Sequence, residues 1–271
     1  MDLTICSLSS GSSGNCVLVS SGLTNILIDV GISGKKVIEG MNALDSDPEK
    51  IDAILVTHEH IDHIRGLGVM LRKYGMQVYA TRGTITEFLH GRNRIGEVDP
   101  GLINAIVPGK CFMVGDIIVD SFRVSHDAAD PVAYTFSCGG KKVAMATDLG
   151  FYDDDIVKNL KGAEALYLEA NHDVNMLEAG PYPFLLKQRI KSDLGHLSNE
   201  TCGKLVTRLC NDNTVRINDV ILAHLSEENN FPELAYETVK SILYMEVPED
   251  RRPALHVAPR FEPSFVAKVT I

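Results

Sequence analysis

Residues 51–66 read IDAILVTHEHIDHIRG, and the fold is decided by how this stretch is read. Ile51, Ala53, Ile54, Leu55 and Val56 form a short, branched apolar run of the kind that makes a buried strand. Thr57 ends it, and His58-Glu59-His60-Ile61-Asp62-His63 turns tightly into a short helix. His58, His60, Asp62 and His63 therefore stand as potential metal ligands at the tip of a buried strand. Neutral imidazole is the commonest protein metal ligand, and carboxylate is its usual companion. In a turn, His58 and His60 can converge on one ion while Asp62 and His63 point at a second. A polar helix start with incidental histidines is the competing reading, and it does not account for so long a pattern in a strand–turn–helix setting.

The pattern H-x-H-x-D-H after an apolar strand resembles the signature of the metallo-β-lactamase superfamily. The resemblance implies an α/β fold, an αββα sandwich of two mixed β-sheets flanked by helices, carrying a one- or two-metal hydrolytic site. His60 stands at the middle position where the di-iron, oxygen-reducing branch resembles H-x-E-x-D, which favours a zinc-type hydrolase.

Bulk properties fit that class. A chain of 271 residues, 45% hydrophobic and 23% charged, can bury a sizeable core. No linker or internal repeat divides it, so a single domain over residues 1–271 is expected. No apolar run approaches bilayer length, and no charged start leads into an apolar segment. The six cysteines are scattered without a C-x-x-C pair, as expected of free thiols in a reducing compartment, the cytoplasm by default. A net charge of −10 weighs against nucleic-acid binding in general, because phosphates are met by Lys and Arg. A local basic strip would still suffice.

In chain order, residues 3–8, 17–20 and 25–29 read as strands, joined by the small, polar loop Ser9-Ser10-Gly11-Ser12-Ser13-Gly14-Asn15. Small residues let backbone approach a ligand, so this loop could offer amides to a phosphate, although a plain hairpin turn explains it equally well. GSSGN followed by LIDVGISGKK resembles the opening of the YycJ/WalJ branch of the superfamily, bacterial proteins associated with exonuclease activity on DNA. Residues 35–44 read as a helix with Val37, Ile38, Met41 and Leu44 at helical spacing, and residues 66–74 as another. Residues 84–89 form a third, with Thr84 and Glu87 in capping-box positions.

Short strands at 103–107 and 111–114 precede a long one at 117–124, and His126 follows directly. Residues 131–138 and 141–146 make a hairpin around Gly139-Gly140, with Asp148 at its end. Residues 165–168 read as a strand ending in Glu169-Ala170-Asn171-His172, which resembles the H-E-A-T element of the tRNA-processing branch. Lys187, Arg189 and Lys191 form the densest positive run and precede Gly195-His196-Leu197-Ser198-Asn199. Residues 220–223 are the last core strand, ended by His224. The tail beyond Arg251-Arg252, with His256, reads as edge strand and surface.

Carried over by the resemblance, one metal takes His58, His60, His126 and Asp148, and the other takes Asp62, His63, Asp148 and His224. The implied cofactors are two divalent ions, Zn²⁺ or Mn²⁺ with Fe possible by ligand type, that generate a hydroxide nucleophile. Asp62 would hold or deprotonate the attacking water, His196 would donate a proton to the leaving oxygen or steady the phosphoryl group, and Glu169 would orient a histidine. Asn15, His172, Lys187, Arg189, Ser198 and Asn199 are the expected substrate contacts. An Asp at position 148 and the GHLSN motif argue against a true β-lactamase. The lack of a long insertion between Asp148 and His196 argues against the large RNA-processing and DNA-repair branches. What remains is a compact phosphodiesterase. A DNA exonuclease comes first, a phosphodiesterase acting on a small cyclic phosphate second, and a metal-bearing module without turnover third. Oligomeric state is not written in these residues.

Overall fold

A computed structural model describes residues 2–212 and 215–271. The first half begins with an antiparallel meander of β1 (Asp2–Ser9), β2 (Cys16–Ser20) and β3 (Asn25–Ile28). It then switches to parallel crossovers: α1 (Gly34–Ala43), β4 (Ala53–Leu55), α2 (Ile61–Ile64), α3 (Leu67–Tyr74), β5 (Gln77–Thr81), α4 (Arg82–His90) and β6 (Ile103–Ile106). The second half repeats that plan. β7 (Phe112–Val114), β8 (Ile117–Arg123), β9 (Val132–Cys138) and β10 (Lys141–Ala146) are antiparallel neighbours. Parallel strands follow through α5 (Asp154–Leu160), β11 (Ala165–Glu169), α6 (Val174–Ala179), α7 (Phe184–Lys191), α8 (Asn199–Asp212), β12 (Asp219–Ala223), α9 (Pro232–Glu246) and β13 (Ala254–Val257). The last strand, β14 (Ala267–Thr270), returns to pair antiparallel with β1. The sheets thus run β14-β1-β2-β3-β4-β5-β6 and β13-β12-β11-β10-β9-β8-β7.

Period-2 alternation explains the layering. Along β1, Leu3 and Ile5 enter the core between the sheets, while Cys6 and Leu8 enter the core beneath α1 and α3. Likewise Val143 and Met145 of β10 face the other sheet, and Ala144 and Ala146 face α5 and α8. Both faces of each sheet are therefore buried, which is why the parallel strands read as continuous apolar runs. Fully burying one such side chain contributes about 1.5–3 kcal/mol, so three separate cores give the four layers ample support. Tyr134 crosses between the sheets and donates to Val56 O (2.8 Å), pinning the strand end that leads into His58.

One expectation needs correction. The cap of α4 is Thr81, whose side chain accepts from Thr84 N–H; Thr84 lies inside the helix. The tail supplies the outer edges of both sheets, as expected: β13 and β14 are edge strands, and β14 also buries Ala267 and Val269 between the layers.

Candidate metal centre

The site lies where strands of both sheets end. The segment after β4 carries His58 and His60, and α2 carries Asp62 and His63. His126 follows β8, Asp148 follows β10, Glu169 ends β11 and His224 follows β12. This is the edge at which open α/β sheets collect their ligands, because consecutive crossovers leave a crevice beyond the strand ends. Asp29, Asp148 and His224 each adopt a left-handed backbone, at φ 60°, 58° and 56°. Non-glycine residues rarely hold that conformation, and it clusters at functional sites where surrounding structure enforces it. Here it turns the chain sharply off β3, β10 and β12. Gly31 serves the same closeness, since a Cβ there would overlap Asp62 O at 1.6 Å.

Hydrogen bonds fix the ring orientations. Glu169 Oε1 accepts from His196 Nδ1–H (2.8 Å) and His224 Nδ1–H (2.7 Å), while Oε2 accepts from the amides of Leu149 and Leu197. His63 Nδ1–H donates to Asp29 Oδ2 (2.7 Å), and His126 Nδ1–H donates to Gly195 O (3.1 Å). Thr57 spends its hydroxyl proton on Asp29 (2.8 Å), so its oxygen can accept from His58 Nδ1–H (3.0 Å). A carboxylate or carbonyl can only accept, so each of these rings presents an unprotonated Nε2 to the interior when neutral.

Those nitrogens converge. His58 Nε2 and His126 Nε2 lie 3.0 and 3.3 Å from His60 Nδ1. That spacing suits the edge of a tetrahedron whose metal–nitrogen bonds are about 2.0–2.1 Å. Beside them, Asp62 Oδ2 lies 3.6 Å from His63 Nε2 and 3.7 Å from His224 Nε2. Asp148 stands between the two groups, with Oδ1 3.7 Å from His126 Nε2 and Oδ2 3.5 Å from His63 Nε2. Asp148 Oδ2 and His224 Nε2 are buried with no hydrogen-bond partner. Buried polar atoms are normally satisfied, and two orphans aimed at one place fit divalent ions well. Asn15 Nδ2 also approaches His63 Nε2, at 3.1 Å.

Charge reinforces the design. Burial lowers the pKa of His58 and His126, keeping both rings neutral as ligands must be. Burial opposes charging of His63 too, but Asp148, Asp29 and Asp62 outweigh it and push its pKa up to about 9. Burial also works against Glu169, yet His196 and its hydrogen bonds hold that carboxyl well below the usual range. Burial pushes Asp29 up, while three donors facing its oxygens require the carboxylate form.

A cavity of about 230 Å³ opens onto this cluster, with His60, Asp62, His126, Asp148, His196 and His224 in its wall. Arg189 also lines it, tied through Nε to Asp127 Oδ2 (2.5 Å). The other expected substrate contacts fare differently. Lys187 Nζ caps the end of α6, donating to Glu178 O and Gly180 O (both 2.7 Å), and Lys191 pairs with Glu178. The basic strip is thus largely neutralised by its own surroundings. Ser198 caps α8 through Thr201 N–H, and buried Asn199 exchanges amide bonds with Asn230, so both are structural. His172 is buried and outside the cavity wall, and burial lowers its pKa to about 4.

Two participants escaped the sequence reading. Asp29 shows the same signal as Asp148, an acid at the tip of an apolar strand, but its partner lies 34 residues away. Asp127 sits 3.4 Å (Oδ1) from His126 Nε2 and holds Arg189, a role visible only once α7 folds over the cavity.

Two mixed sheets between helical layers, with imidazoles and carboxylates gathered at the strand ends, define a metal-dependent hydrolase of the metallo-β-lactamase fold. The chain belongs to the beta-lactamase superfamily, whose domain description matches residues 24–217. It is 43% identical over 232 residues to exodeoxyribonuclease WalJ of Streptococcus pneumoniae serotype 2, covering 86% of this chain and 85% of that protein. It is 42% identical over 245 residues to exodeoxyribonuclease YycJ of Bacillus anthracis, covering 90% of each. Among solved structures, the metallo-β-lactamase fold protein YhfI from Bacillus subtilis superposes with a TM-score of 0.71 at 17% identity, over 99% of both chains. Zn²⁺-bound PqqB from Methylobacterium extorquens gives 0.69 at 16% identity, over 98% of this chain and 100% of that one. At such identities these structures speak for the fold alone.

Proposed function

We propose that this protein is a DNA exonuclease, with one divalent ion held by His58, His60, His126 and Asp148 and a second by Asp62, His63, Asp148 and His224. One observation carries the reading: the complete donor cluster, orphaned Asp148 Oδ2 included, sits in a chain 42–43% identical to proteins named exodeoxyribonucleases. Zinc or manganese suits these donors, and iron is compatible. Bound there, the ions would supply a nucleophile from water at neutral pH and offset charge developing on the phosphate.

The protein's own groups do the rest. His196, its Nδ1–H held on Glu169, turns Nε2 to the cavity and delivers a proton to the departing oxygen. Glu169 stays ionised and so stabilises the imidazolium before transfer. Asp62, at the cavity wall, orients the attacking water. Arg189 can exchange Asp127 for a substrate phosphate, bidentate geometry being the strength of guanidinium. The whole chain, residues 1–271, acts as one catalytic domain, supported by the return of β14 to β1. Cytoplasmic residence is supported by six unpaired cysteines; among the described residues no helix is long and apolar enough to cross a membrane.

The direct test is digestion of end-labelled duplex DNA with added Mn²⁺ or Zn²⁺, beside an EDTA-treated sample and Asp62→Ala. Stepwise shortening that needs metal and is lost in the variant is the expected result, and 5′ against 3′ labels give its direction. Intact DNA with bis-p-nitrophenyl phosphate still hydrolysed would transfer the assignment to a small cyclic phosphate.

Two further outcomes follow from the geometry. Asp29→Asn removes the charge facing His63 and replaces one of the two acceptor oxygens with a donor, leaving one oxygen for three donors, and should weaken metal affinity about 10–100-fold, read by competition with a chromogenic chelator. Burial opposes charging of His63 and His224, but the surrounding carboxylates push the His63 pKa up to about 9 and raise that of His224, so metal binding competes with protons at both rings. Apparent affinity should then fall on acidification below about pH 9, by at least about tenfold per pH unit. A flat profile between pH 7 and 9 would show that no proton leaves these rings on binding.

A further inference from the structure

A second cavity, of about 270 Å³, adjoins the first, and Ser226 belongs to the walls of both. His224 faces the first cavity and Leu225 the second, so a single strand-end segment separates them. Phe231, Pro232, Ala258 and Pro259 give the second cavity an apolar lining, and Arg260 supplies its cation. Phe231 precedes α9 and remains 47% exposed, with its ring outside all three cores.

The Arg260 guanidinium rests against the polar loop between β1 and β2. Nη2 donates to Leu225 O (3.1 Å), and Nη1 approaches Ser13 Oγ (3.4 Å) and the exposed Glu227 carboxylate (3.8 Å). Gly11, at φ 116°, makes room for it, because a Cβ there would lie 3.0 Å from Nη1. Guanidinium carries five donors, and these contacts engage three at most. An exposed ion pair such as Arg260–Glu227 is worth little and yields readily to a better anion.

We propose that this second cavity is a subsite for the DNA nucleotide adjoining the scissile phosphodiester, its base stacked on Phe231 and its far phosphate held by Arg260. The proposal rests on the nuclease reading above. Three features select this occupant. The cavity shares Ser226 with the wall of the cavity that holds the metal cluster, so a strand reacting there reaches it directly past Ser226. Its lining pairs an aromatic face with a cation, the combination that single strands use on sequence-tolerant surfaces. In a chain of net charge −10, an arginine with unspent donors at that exit is matched to a polyanion.

The test compares kcat/KM of the metal-loaded enzyme on a single-stranded oligodeoxynucleotide with kcat/KM on bis-p-nitrophenyl phosphate, which has no neighbouring nucleotide. Phe231→Ala should lower the oligonucleotide-to-ester ratio about 5- to 150-fold, the range of one base–aromatic stack. Phe231→Trp should restore it. Arg260→Gln should also lower the ratio, and should flatten the salt dependence of oligonucleotide binding by about 0.7 in log–log slope, the share of one phosphate on a single strand. An unchanged ratio in Phe231→Ala, including equal losses on both substrates, would overturn the subsite while leaving the nuclease intact. If the wild-type enzyme hydrolyses the ester and never shortens the oligonucleotide, the nuclease reading itself falls and takes the subsite with it.

Discussion

Asp148→Asn is expected to lower phosphodiester hydrolysis by about 10⁴-fold, on the scale seen when one member of a catalytic unit that acts together is removed. Asp148 faces both groups of donors, with an oxygen toward His126 and an oxygen toward His63. Its backbone is left-handed, which Asn tolerates about as well as Asp, so the substitution preserves the turn after β10. The amide keeps the shape but loses the charge, and its NH₂ presents donors where an ion needs lone pairs. Metal content measured on the purified variant should drop from two ions per chain toward one or none. Two ions retained with full activity would show that the groups do not depend on a shared carboxylate, and the two-ion assignment would fail.

His196→Ala is the second large effect, and its signature is selectivity. On DNA the leaving oxygen is a poor leaving group that needs a proton, so losing the acid should cost about 10²–10⁴-fold in kcat. On bis-p-nitrophenyl phosphate the departing nitrophenolate is stable without one, so the loss there should be far smaller. Glu169 keeps the amides of Leu149 and Leu197 and the His224 ring after the change, so the buried carboxylate is not stranded. Equal losses on both substrates would instead assign His196 to binding or to the integrity of the site. Glu169→Gln provides the contrast: it disturbs His196 and His224 together, so it should reduce metal affinity as well as DNA cleavage.

These two variants also mark how far the chain could be read before it was folded. His58, His60, Asp62 and His63 declare themselves because they are crowded into one turn at the end of an apolar run. His126, Asp148 and His224 are single residues, and each became legible only by its place after a strand and by the superfamily pattern. Asp29 carries the same end-of-strand signal, but nothing in local sequence says that its oxygens will meet His63 and Thr57. The basic run around Arg189 read as a phosphate strip, yet Lys187 and Lys191 are occupied by the end of α6, and only Arg189 reaches the cavity. Ser198 and Asn199 read as substrate contacts because of GHLSN, but an N-terminal cap and a buried amide pair claim them.

What the sequence by itself determined is whatever short range dictates: strand periodicity, the polar turns, the crowded ligand turn and the order of chemically capable residues along the chain. What only the tertiary structure decided is which of those residues share a volume. Glu169 meets two histidines 27 and 55 residues downstream, and Arg260 packs against a loop about 250 residues before it. Charge, tautomer and availability for substrate depend on distance, and distance across the sandwich is set by how the two sheets pack. No local pattern encodes that spacing.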